Sequence, residues 1–105
     1  MKNNPIIEKM VDEIAGICSP FQIFMVSRKV SASGELSSFK LCVVVDDNYD
    51  DIKSLETDIH IKTDCPVPCD VIIYTVSEWN ECIEDDCTFA YRVENAGDLL
   101  YEQGN

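Results

Sequence analysis

The stretch Leu36-Ser37-Ser38-Phe39-Lys40-Leu41-Cys42-Val43-Val44-Val45-Asp46 decides the fold. Successive side chains on a strand point to opposite faces. From Leu41 to Val45 every side chain is apolar, so both faces of this strand must be hidden from water. That pattern predicts a central strand in a sheet covered by helices. Upstream, Phe21 to Val30 reads as a second strand, joined to the first by the small-residue turn Ser31-Ala32-Ser33-Gly34-Glu35. Before it, Asn4-Pro5 supplies an N-cap and a first-turn proline for a helix. Ile6, Ile7, Met10, Val11, Ile14 and Ile17 recur at helical spacing through about Cys18, and Ser19-Pro20 stops the helix.

Downstream, Asp46-Asp47-Asn48 reads as a helix start, followed by a narrow apolar stripe of Ile52, Leu55 and Ile59. Pro66 and Pro68 end the connection, and Val67 to Thr75 reads as a third strand. Thr75-Val76-Ser77-Glu78 has the form of a capping box, with Trp79, Cys82 and Ile83 on the buried side of the helix it opens. A short helix carrying Phe89, Val93 and Ala96 is expected to stop at Gly97, and Leu99-Leu100-Tyr101 to form a short last strand. The order predicts a mixed α/β (α+β) sheet packed against helices. No linker or repeat divides the chain, so residues 1–105 are expected to form one small domain.

The totals narrow the functional classes. Twenty acidic residues against 8 basic ones give a net charge of −12. This argues against nucleic acid as a partner, because phosphate binding needs clustered Lys and Arg, and it favours a basic partner. No apolar run is long enough for a membrane span. Met1-Lys2-Asn3-Asn4-Pro5 lacks the apolar core of a signal peptide, so a cytoplasmic location is expected. In that compartment the 6 cysteines are expected to stay reduced, with Cys42 a small core residue. Cys65 and Cys69 with Cys82 and Cys87 spell a loose zinc frame, but their uneven spacing favours free thiols. His60 is expected to face solvent or cap a helix end.

The chain also resembles the minimal nucleotidyltransferase family. That family's signature is Gly-Ser, about ten residues, then Asp-x-Asp in an apolar strand, with a third Asp on a neighbouring strand. Here Ile23-Phe24-Met25-Val26-Ser27-Arg28 leads to Ser38-Phe39-Lys40-Leu41-Cys42-Val43-Val44-Val45, and Cys69-Asp70-Val71-Ile72-Ile73-Tyr74 follows. Ser27 and Asp70 match the signature, whereas Val26, Ser38 and Lys40 replace its glycine and its paired aspartates. The ending Arg92-Val93-Glu94-Asn95-Ala96-Gly97-Asp98-Leu99-Leu100-Tyr101-Glu102 is similar to the family's terminal helix, glycine and Leu-Tyr-Glu strand. The resemblance implies a nucleotidyltransferase-like fold with a degenerate active site. It also implies a protein partner, such as a small helical protein of the HEPN type in a toxin–antitoxin-like pair.

The chemistry explains the weight of the substitutions. Nucleotidyl transfer needs two divalent ions about 4 Å apart to neutralise the phosphates. Residues two apart on a strand share a face, so Asp-x-Asp presents two carboxylates to one ion pair. Ser38 is a weak neutral donor for such an ion, and the Lys40 ammonium repels it by roughly 4 kcal/mol per unit charge at close range. Asp46 and Asp47 lie about 20 Å along the strand, too far to substitute, and Asp50 and Asp51 lie further on. Glu84, Asp85 and Asp86 read as a solvated face. Asp70 is therefore the one remaining candidate metal ligand, and no cofactor is expected. Magnesium would enter only in the alternative reading of an active or residual nucleotidyltransferase. Lys40 has two readings: an ion pair with Asp70 in the old metal site, which is the favoured one, or a contact to a nucleotide phosphate alongside Ser27 and Arg28.

Overall fold

In the computed structural model, which describes residues 4–49 and 51–103, a four-stranded mixed sheet carries four helices. Met1 to Asn3, read above for a signal sequence, and Asp50 lie outside the described residues. The elements are α1 (Pro5–Cys18), β1 (Gln22–Val30), β2 (Leu36–Val45), α2 (Ile52–Lys62), β3 (Cys69–Thr75), α3 (Val76–Cys82), α4 (Phe89–Ala96) and β4 (Asp98–Glu102). Their order in the sheet is β3-β2-β1-β4. β1 pairs antiparallel with both β2 and β4, while β2 and β3 run parallel, joined through α2.

The apolar run of β2 does what its pattern predicts. Leu41, Cys42, Val43, Val44 and Val45 are all buried. Leu41, Val43 and Val45 join Ile23 and Met25 of β1 under α1 and α2, whose Ile7, Met10, Val11, Ile14, Leu55 and Ile59 close that side. Cys42 and Val44 face the other way with Phe24, under Trp79 of α3 and Ala90 and Val93 of α4. The Trp79 ring stacks on Phe24 at 5.4 Å and meets Tyr74 edge-on at 5.3 Å. Its indole N–H donates to Glu94 Oε1 at 3.2 Å, so the buried ring leaves no donor unsatisfied.

Local chemistry sets the helix ends. Asn4 Oδ1 accepts from the backbone N–H of Ile6 at 2.9 Å, and Ser19 closes α1 in the left-handed region at φ 44°. The capping box at α3 is complete: Thr75 Oγ1 accepts from Glu78 N–H, and Glu78 Oε1 accepts from Thr75 N–H. One expectation is corrected. α2 does not start at Asp46-Asp47-Asn48; Asp51 is its N-cap, through a 3.0 Å bond from Ser54 N–H. Asp46 instead folds a turn by accepting from Asn48 N–H at 2.9 Å. Gly97 ends α4 as expected, in an extended conformation (φ −78°).

Space is what requires glycine at position 97. A Cβ there would sit 2.8 Å from the Val93 carbonyl oxygen and 3.3 Å from that of Met25, where α4 meets β1. Gly16, in the last turn of α1, has open space around it. Opposite outcomes are expected from one substitution. Gly97→Ala should lower stability by about 1–3 kcal/mol, and Gly16→Ala should raise it by about 0.5–1 kcal/mol. Urea midpoints at unchanged slope check both signs.

Candidate functional site

The helices cover only part of the sheet. α3 and α4 lie over Phe24, Cys42 and Val44, toward the end where β2 finishes. The start of β2 and the end of β1 extend beyond them, and there the same face carries polar side chains. Directly opposed residues in a ladder share a face. Lys40 of β2 is opposed by Ser27 of β1 on one side and by Asp70 of β3 on the other. Lys29 opposes Ser38 one step along. Ser27, Lys29 and Asp70 are exposed, and Ser38 and Lys40 are half-buried.

A β-bulge makes this row. The β1–β2 register shifts between Met25 and Ser27, leaving Val26 as the extra residue. Without the bulge, Ser27 would share the face of Met25, under α1 and α2. With it, Ser27 moves to the Lys40 face, and Val26 packs beside Phe24 and Trp79. Arg28 opposes Phe39 and so belongs to the opposite face. Of the residues singled out in the sequence, Ser27, Ser38, Lys40 and Asp70 are brought together on one face, and Arg28 is not. Lys29 was missed, although the two-residue period from Ser27 carries the signal.

The favoured pairing of Lys40 with Asp70 is corrected. The two are register partners on adjacent strands, but their side chains do not come within ion-pair distance. Both lie where water reaches them, so an ion pair would gain little over separate hydration. In a double-mutant cycle of Lys40→Met and Asp70→Asn, the coupling should be below about 0.5 kcal/mol. A coupling above about 1 kcal/mol would restore the ion pair.

As a set, these side chains offer hydroxyls and ammonium groups, with one carboxylate. Lys29 and Lys40 outweigh Asp70, so the face is suited to an anion rather than to a divalent cation. The acids set aside in the sequence stay apart from it. Among the described residues, Asp85, Asp86 and Cys87 are the one group with ligand atoms close enough to share an ion, and all three are exposed. Cys87 N–H binds Asp85 Oδ1 at 2.9 Å in that turn.

The four cysteines of the loose zinc frame do not converge. Cys65 and Cys69 pack against the cluster under α1 and α2, and Cys82 against the cluster on the other face. All 6 thiols are free. Burial raises the Cys18 thiol to about 11 and the Cys42 thiol to about 12. Burial, then neighbouring Cys65 and Asp70, raises Cys69 to about 12. His60 is exposed near the end of α2.

Asp47 has a different task from the one expected of it. Its carboxylate accepts from Ser77 N–H at 2.9 Å and from the Ser77 hydroxyl, tying the end of β2 to the first turn of α3. Ser77, through side chain and then backbone, holds the Asp47 carboxyl below its ordinary value of 3.8. A carboxyl lowered by folding adds stability that is present above the ordinary value and is lost as pH falls through the lowered one. Asp47→Asn should therefore be less stable than the wild type at neutral pH. The gap should close as the pH falls below the ordinary aspartate range, and thermal melts of both proteins across acidic pH check this.

Comparison of the chain with protein-family models, with curated proteins and with solved structures finds no match. The functional reading therefore rests on the geometry of this face and on the residues that occupy it.

Proposed function

We propose that this protein is a catalytically degenerate domain of the minimal nucleotidyltransferase type that works by binding another protein. One observation carries the reading. On the open sheet face, Ser38 and Lys40 stand on β2 beside Asp70 of β3, where the family resemblance calls for three converging carboxylates. Phosphoryl chemistry of that kind depends on charge neutralisation by metal ions, and an ammonium in the row opposes it. A fold kept without its metal ligands is suited to recognition rather than to turnover. The net charge of −12 speeds and favours encounter with a basic partner. The resemblance makes a small helical HEPN-type protein the first partner to test.

A second reading has its own observation. Ser27, Lys29, Ser38 and Lys40 on one face are suited to a phosphate without any metal, which would leave a residual nucleotide site. Calorimetry separates the two. With ATP, with or without magnesium, the wild type should give no binding tighter than about millimolar. A micromolar dissociation constant that requires magnesium would overturn the degenerate-site reading, and one independent of magnesium would favour the residual nucleotide site. The Ser38→Asp, Lys40→Asp double variant should behave differently. It gathers three carboxylates, so it should melt below the wild type in chelator and gain stability on adding magnesium. Equal stabilisation of the wild type by magnesium would contradict the proposal.

A further inference from the structure

The opposite edge of the sheet carries the second feature. Ile7, Glu8, Val11 and Asp12 of α1 and Leu99 and Leu100 of β4 line a cleft of about 330 Å³. Ile7 and Val11 form its apolar floor, and Leu99 stands 45% exposed at its edge. Glu8 and Asp12, one helical turn apart, are both exposed on its helical rim, and β4 begins and ends in acids, Asp98 and Glu102. Among the described residues, no Lys, Arg or His lines the cleft.

β4 is also the outermost strand of the sheet, paired with β1 alone among the described residues. Its outer edge presents backbone donors and acceptors that another strand can take up. A second copy of the chain is a poor occupant, because it would bring Asp98 and Glu102 against the same acids, and each copy carries −12. A basic strand fits on three counts: backbone pairing at the edge, apolar side chains on the cleft floor, and positive ends toward the acidic rim.

We propose that the cleft between α1 and β4 binds an extended segment of a partner protein with apolar residues at its centre and basic residues at both ends, added to β4 as a fifth strand. This deepens the partner-binding reading by naming the surface and the chemistry of the partner. It does not depend on the open face around Lys40, so an ATP result leaves it standing or falling on its own test.

The probe is a synthetic peptide of about ten residues with a Val-rich centre and two Lys at each end, with a control N-methylated at alternate residues. The control keeps charge and apolar content but cannot pair along a strand edge. Titration into the isotope-labelled protein should shift backbone amide resonances of residues 7–12 and 98–102. The N-methylated control should bind at least about tenfold more weakly, as should the parent peptide to the Glu8→Lys, Asp12→Lys double variant. Equal binding of the two peptides, or shifts spread over other acidic surfaces such as Glu84 to Asp86, would overturn the proposal. So would equal affinity of the double variant, or a concentration-dependent dimer that occupies the same residues.

Discussion

Everything in this molecule depends on hiding one strand twice. Leu41 to Val45 of β2 have no polar face, so helices must pack on both sides of the sheet. α1 and α2 supply one cover and α3 and α4 the other. The second cover is short: α3 has 7 residues and α4 has 8. It spans the apolar half of β2 and stops before Lys40. The open face is thus the part of the strand the helices do not reach, and its polar residues are the ones water tolerates there. The bulge at Val26 adds Ser27 to that face. Site and core are two halves of the same strand.

Charge divides the molecule in the same way. Lys29 and Lys40 are two of the 8 basic residues, and both are on the open face of the β1–β2 hairpin. The α1–β4 cleft lies at the far edge, and among the described residues the charged groups on its rim are acids. An acidic protein of −12 therefore presents one surface that is suited to anions and another that is suited to cations.

What the sequence disclosed followed from local rules. The β2 run, the α1 stripe and the capping box at Thr75 each depend on residues close in sequence, whereas the placing of Lys40 beside Asp70 is implied by the family resemblance. What it concealed depends on distance. Asp46-Asp47-Asn48 contains three good capping residues, and nothing local says that the Asp47 carboxylate is engaged by Ser77, 30 positions away. Asp51 then takes the role of helix cap. Adjacent strands placed Lys40 next to Asp70, but whether two charges pair depends on solvent exposure, which register does not supply. The bulge that brings Ser27 into the row has no glycine to announce it. The α1–β4 cleft joins the two ends of the chain, so no window of sequence contains it.

The central claim is that β2 is buried along its apolar half and open along its polar half, on the same face. Cysteine labelling of the native protein tests it most directly, because Cys42 already reports on the buried half and Ser38→Cys adds a reporter on the open one. Cys87, which is exposed, provides an internal reference. With labelling sites resolved by mass spectrometry, Ser38→Cys should react on the time scale of Cys87. Cys42, four residues away, should react only as fast as the whole protein unfolds. Prompt labelling of Cys42, or protection of Ser38→Cys equal to that of Cys42, would contradict the account.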